Sequence, residues 1–266
     1  MTQEPNPRTA ETNGLLWGTR ARDWADIQEQ STRAVYQGVL KRAEVGSGTN
    51  FLDVGCGSGM AANLAADLGD DVSGIDASEA LLIIAKERLP RADFQVCDLE
   101  EIPFEDDRFD VVTGFNSFQY AGNPVLALAE AKRVTKPSGY VVVVTWGAPE
   151  GMEAASVVSA LKPILPAPPP GAPGPFALSD EALLRAFASE AGLQPISVFD
   201  VQSPWSYPDE ATAIRGLGST GVAARAMSHS GENAVNAAHA AAIAPFRKQD
   251  GSYLINSNFR CLLSQA

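Results

Sequence analysis

The chain has 266 residues, 45% of them apolar and 20% charged, which is enough to close one large core or two small ones and too apolar for disorder throughout. Lys plus Arg number 20 against 32 Asp plus Glu, and the formal charge of −12 repels phosphate backbones, so nucleic acid is not an expected partner. The three cysteines, Cys56, Cys97 and Cys261, lie far apart without Cys-x-x-Cys spacing, which argues against a disulfide framework and against a metal site.

In chain order, residues 1–14 are polar, carry Pro5 and Pro7 and lack an apolar signal core. We expect them to be disordered. Residues 15–48 read as a helical segment, with Val35, Tyr36, Val39 and Leu40 at helical spacing over 17–42. A regular alternation then begins and defines a core over 49–147. Phe51-Leu52-Asp53-Val54 is a short apolar strand, and a helix over 59–68 carries Met60, Ala61, Leu64, Ala65 and Leu68 inward. The next strand covers 71–75, and Ser78 caps a helix that Pro90 ends. A third strand (93–97) leads through an acidic loop to a fourth (109–114). Asn123-Pro124 then starts a helix to Val134, and a fifth strand covers 140–146. Strands alternating with amphipathic helices imply a parallel sheet covered on both faces, and Val141-Val142-Val143-Val144 lacks the polar alternation of a half-exposed strand.

Beyond Gly147, the uncharged stretch 163–179 is broken by prolines and cannot cross a membrane, so a cytoplasmic protein without membrane contact is expected. We read 163–175 as a semi-rigid loop, 179–191 as a helix, 196–201 as a sixth strand, 208–217 and 232–246 as helical, and 252–263 as a closing strand. The chain reads as one domain with a lid: residues 148–266 supply the C-terminal part of the sheet, and the long insertion between its last two strands, about 205–250, predicts a cap.

The chemistry concentrates at strand ends. Asp53-Val54-Gly55-Cys56-Gly57-Ser58-Gly59 follows the first strand, Gly74-Ile75-Asp76-Ala77-Ser78 ends the second, and Cys97-Asp98-Leu99 ends the third. Glycines let the backbone turn sharply and approach a ligand, and an acid at the second strand end can accept both ribose hydroxyls. Dinucleotide folds need G-x-G-x-x-G for a pyrophosphate; this chain has G-x-G-x-G with Asp53 two residues ahead. A carboxylate there repels pyrophosphate and suits a ligand bearing a sulfonium and an ammonium. The alternative readings are that Asp53 caps amides of the tight turn and that Asp98 is a solvated acid adjoining the charge run 100–107.

With these motifs in order, residues 50–146 resemble the class I S-adenosylmethionine-dependent methyltransferases, within them the type 11 group that includes quinone and many small-molecule methyltransferases. The resemblance implies a Rossmann-like α/β fold: a seven-stranded, mostly parallel sheet with helices on both faces and an antiparallel last strand. It implies S-adenosylmethionine as cofactor, with S-adenosylhomocysteine as product. The implied contacts are Asp53, Gly55, Cys56, Gly57, Asp76, Ala77, Asp98, Leu99, Asn116 and Trp24. Trp17, Arg20 and Trp24 share a face of the leading helix, which in similar enzymes covers cofactor and substrate.

The expected activity is methyl transfer to a small, apolar or aromatic acceptor held under the cap by orientation. His229, in a Ser-Gly loop, His239, in the alanine-rich cap helix, and Tyr120 are the candidates for a base. An aromatic acceptor pocket is expected from Trp17 and Trp24 below, 205–246 above, and Tyr120 and Trp146 between. The rival readings are the same fold catalysing a cyclisation or rearrangement, a non-catalytic binding protein, and a nicotinamide-dependent dehydrogenase. Monomer and homodimer both remain open.

Overall fold

A computed structural model describes residues 8–69, 71–168 and 174–266. Its main sheet has seven strands: β1 (Asn50–Val54), β2 (Asp71–Asp76), β3 (Asp93–Val96), β4 (Phe109–Phe115), β5 (Thr135–Trp146), β6 (Gln194–Gln202) and β9 (Asn258–Gln265). They lie in the order β3-β2-β1-β4-β5-β9-β6. β1 to β5 pair in parallel, and β9 runs antiparallel between β5 and β6. The anticipated fold is the observed one.

Helices cover both faces because the strands are apolar on both. Phe51, Val111, Val142 and Phe259 pack with α3 (Arg33–Arg42), α4 (Met60–Ala66) and α5 (Glu79–Arg88). Leu52, Val112, Val141 and Leu262 point the other way, onto α6 (Pro124–Val134) and α8 (Glu181–Glu190). Successive residues of β1 thus feed opposite cores, as the two-residue period of a strand requires. The anticipated caps form: Ser78 Oγ accepts from Leu81 N at 3.4 Å, and Asn123 Oδ1 from Leu126 N at 3.1 Å. α4 stops at Ala66, short of Leu68, which is 47% exposed rather than inward-facing.

The leading segment departs from one or two regular helices. α1 (Ala10–Gly18) starts inside the stretch expected to be disordered; residues 1–7 of that stretch lie outside the described residues. α1 is tied down by Thr9 Oγ1 and Asn13 Nδ2, which donate to the Tyr120 carbonyl at 2.6 and 2.8 Å. The chain continues through α2 (Ala21–Asp23), a π-helical turn (Trp24–Gln28) and a 3-10 turn (Glu29–Thr32) into α3.

After β5 come α7 (Ala154–Ser159) and a 3-10 turn (Lys162–Ile164); residues 169–173 of the expected proline-rich loop lie outside the described residues. The closing strand expected over 252–263 is two strands, β8 (Tyr253–Ile255) and β9, separated at Ser257. There Ser203 N donates to Ser257 O at 3.0 Å and Ser257 Oγ to Ser203 O at 2.5 Å, so the chains leave the main sheet together. Beyond this point β7 (Trp205–Tyr207) pairs with β8 as a two-stranded ribbon. The cap is completed by α9 (Glu210–Leu217), α10 (Gly221–Ser230) and α11 (Glu232–Ile243). α10 replaces the expected loop around His229: Thr220 Oγ1 caps it through Ala223 N at 3.2 Å, and Ala223, Ala224 and Ala226 are buried.

Candidate active site

The glycine-rich turn leaves β1 at Gly55. Gly55 N and Cys56 N both donate to Ile75 O, at 2.8 and 2.9 Å, which draws the turn over the end of β2. Gly55 has φ +76°, and an added Cβ would stand 2.5 Å from that of Ser117, so only glycine fits. Ser117 Oγ in turn donates to Val54 O at 2.6 Å and joins the ends of β4 and β1. A Cβ on Gly57, at φ +55°, would point 3.4 Å from the indole nitrogen of Trp24.

Three carboxylates converge here. Asp53, 2% exposed, accepts from Thr113 Oγ1 at 2.9 Å rather than from the amides of the turn. Burial is the largest influence on its carboxyl and, with Asp76 and Glu29 nearby, holds it up at about 7 against the opposing Thr113 hydrogen bond. Asp76 accepts from Gly57 N and Ser78 N, both at 2.8 Å; burial raises it and those amides oppose the rise. Asp98 accepts from Glu100 N at 3.0 Å with one oxygen. The other, Oδ2, is buried without a hydrogen bond, 4.0 Å from Arg8 Nε. Asp98 therefore belongs to the site end of the acidic loop. Leu99 packs beside it on the core. Asn116, at the end of β4, has φ +56°, its amide donating to Val144 O at 2.8 Å and its side-chain oxygen accepting from Gln119.

The leading segment closes over these groups. Gly14 and Gly18 bring α1 against Ala77, Ser78 and Ala80; a Cβ at Gly14 would lie 2.2 Å from Ala77 O. A groove of about 580 Å³ runs along this contact past Ala77 and Cys97, and none of Asp53, Gly55, Gly57 or Asp76 lines it. Trp24 Nε1 is buried beside the turn with no acceptor. Two residues that sequence reasoning missed hold this cover in place. Arg88, at the end of α5, pairs with Glu29, which is 1% exposed, and also donates to Ser58 O at 2.9 Å and Ala25 O at 2.8 Å. The π-helical turn sends the Glu29 amide to Trp24 O, leaving the Ala25 carbonyl for Arg88.

The anticipated aromatic pocket resolves into two groups. Trp17 meets Trp24 and Tyr120 edge to face, at 5.1 and 5.8 Å. Trp146 instead stacks on Phe259 at 4.7 Å and meets Trp205 at 5.9 Å, joining the core under the β7–β8 ribbon. Arg20, expected beside Trp17 and Trp24, pairs with Glu232 at the start of α11. Of the candidate bases, His229 is exposed at the end of α10. His239 is 3% exposed, between Val235 and Ile243 on the inner side of α11, and burial lowers it to about 4. Burial raises Tyr120 to about 12. Burial also raises the thiols of Cys56 and Cys97, leaving them neutral packing groups.

Residues 52–143 match the family model described as a methyltransferase domain. Over those residues the chain is similar to methyltransferase domains. A demethylmenaquinone methyltransferase of Renibacterium salmoninarum is 34% identical over 149 residues, 56% of this chain and 58% of that protein. The chain covers 58%, 42% and 54% of this protein and two further curated relatives, a probable S-adenosylmethionine-dependent methyltransferase of Mycolicibacterium smegmatis and a demethylmenaquinone methyltransferase of Paenarthrobacter aurescens, about half of their length. A putative methyltransferase from Bacillus halodurans superposes with a TM-score of 0.57 at 19% identity, over 86% of this chain and 97% of that one. The cyclase SpnF superposes at 0.55 with 21% identity, over 88% and 80%. Both likenesses show the fold. The cofactor such a domain implies is S-adenosylmethionine, and the residues fit it: the cradle offers a buried carboxylate oxygen at Asp98 and a buried N–H at Trp24, neither of which makes a hydrogen bond within the protein. Among the described residues no cluster able to hold a metal occurs, and no helix is long and apolar enough to cross a membrane.

Proposed function

We propose that the chain transfers a methyl group from S-adenosylmethionine to a small apolar or aromatic acceptor. The observation that carries this reading is the convergence of the 55–59 turn, Asp76 and Asp98 at the carboxyl ends of adjacent parallel strands, where open sheets take ligands. When bound, the cofactor supplies a methyl on a positively charged sulfur, already an excellent leaving group. Asp76, whose oxygens keep lone pairs beyond the two amides they accept, holds the ribose hydroxyls. Asp98 Oδ2 accepts from the adenine amino group, with Leu99 against the ring, and Trp24, Ala77 and Asn116 close the cradle around the ligand. Trp17, Trp24 and Tyr120 exclude water and present apolar faces to the acceptor. Orientation in such a site can supply roughly 7–11 kcal/mol of the barrier. The net charge of −12 supports a small acceptor over a nucleic acid.

Two experiments test this. Incubation with a methyl-labelled cofactor and a cell extract should yield a labelled small molecule; label found only in macromolecules overturns the acceptor class. Calorimetry should show that Asp76→Ala weakens cofactor binding by about 1.5–3 kcal/mol, the worth of a charge-assisted hydrogen bond, and Cys56→Ala far less. Equal losses would remove the ribose assignment.

A further inference from the structure

The buried charges around the glycine turn do not balance. Glu29 has the guanidinium of Arg88. Among the described residues neither Asp53 nor Asp76 has an ion-pair partner, although Asp53 lies beneath the turn and Asp76 accepts from its Gly57 amide. Resting on the cofactor reading, we propose that the cradle selects its ligand by charge: it holds the sulfonium cofactor more tightly than the neutral thioether product, and binding of the cation sends the Asp53 proton to solvent.

Both ligands carry the same ammonium and carboxylate, so those groups cancel in a comparison of affinities. The sulfonium charge remains, and an opposite charge brought near Asp53 would favour its ionised carboxylate. Asp53 is the group that responds. Among the described residues its carboxyl accepts a hydrogen bond only from the Thr113 hydroxyl of β4, and burial holds it at about 7. Asp76 on β2 has two amides that stabilise its charge. The other titratable groups around Asp53 do not supply a cation: Glu29 is paired with Arg88, and burial keeps Tyr36 and Cys56 neutral. Below neutral pH Asp53 is protonated and attracts the sulfonium less; above it the carboxylate is already formed. The thioether exerts no such pull. Methyl transfer therefore weakens the hold on the ligand in the step that makes it product.

The test is calorimetry of the whole protein with S-adenosylmethionine, S-adenosylhomocysteine and sinefungin, whose amine places a positive charge near the position of the methylsulfonium. The affinity ratio of cofactor to product should rise between pH about 6 and about 8, by up to the about tenfold limit that linkage to one group titrating near 7 sets. Sinefungin should follow the cofactor. Titrations in buffers of different ionisation enthalpy should show proton release with the two cations at pH about 6 and less with the thioether. Asp53→Asn should flatten the ratio; should that variant not fold, Thr113→Val, which removes a bond to the charged form, should move the rise to higher pH. A ratio independent of pH, with both ligands bound, overturns this proposal and leaves the cofactor reading intact. Folded protein that binds none of the three overturns both.

Discussion

The cradle and the cap bury ionisable groups with opposite consequences. At the strand ends, Asp53 is a carboxyl held at about 7, above its ordinary range. In the cap, His239 is an imidazole held at about 4, below its own. Desolvation disfavours the charged form in both places, so an acid goes up and a base goes down. Linkage gives the signs. A carboxyl raised in the folded state contributes stability that is present below the unfolded value of 3.8 and lost as pH rises towards about 7. An imidazole lowered in the folded state contributes stability that is present above 6.5 and lost as pH falls towards about 4. The cradle carries an unfavourable group of the kind expected at a site built for a ligand; the cap buries a neutral histidine among alanines and aliphatic side chains, as a packing element.

The largest effect should come from releasing the leading segment from the cradle. Arg88→Ala leaves Glu29 buried without its partner and frees the Ala25 carbonyl, and we expect a loss of about 3–5 kcal/mol in urea unfolding. The double variant Glu29→Gln with Arg88→Met should recover most of it; failure to recover would show that the packing of α5, rather than the charge pair, holds the cover. Next in size is the pH contrast. Corrected amide-exchange protection in α9–α11 should fall between pH about 6.5 and about 4, by up to roughly 3 kcal/mol, and His239→Gln should remove most of that dependence. Over the same interval β1 and β4 should gain protection on acidification. Parallel behaviour of both regions would mean that they open as one unit.

The two regions also differ in how much of them the sequence shows. The cradle is legible because its determinants are local: the turn needs glycines at successive positions, and each acid ends a strand recognisable from its own residues. The cover is less so. Arg88 sits in Lys86-Glu87-Arg88, which reads as a solvated helix end, and its partner Glu29 lies 59 residues away. Nothing near either residue signals the other. The β7–β8 ribbon joins Trp205 to Ile255 across the whole cap, so a three-residue strand had no local partner to reveal it. α10 was hidden by Gly221 at its first turn, although Thr220 before an alanine-rich run was a usable cap signal.

The smallest expected effect concerns the seam between the leading segment and the cap. Two ion pairs cross it, Arg20 with Glu232 and Arg215 with Asp23, the second at 2.5 Å. Both have one partner more than half exposed: Glu232 at 56% and Arg215 at 61%. Such pairs contribute little individually and are screened once salt shortens the Debye length from about 8 Å to about 3 Å. Apolar and neutral contacts carry the rest of the seam: Gly216 lies on Ile27, Gly221 on the Trp17 indole, and Tyr207 hydroxyl donates to Gln28 Oε1 at 2.7 Å. Raising salt to about 1 M, or replacing Arg20 and Arg215 together by Gln, should therefore speed amide exchange in α10 and α11 by less than about fivefold and leave β1–β5 unchanged. If the cap instead became fully exchangeable, the charges rather than the packed surface would be what keeps it closed, and the seam would act as a salt-sensitive hinge over the acceptor side of the site.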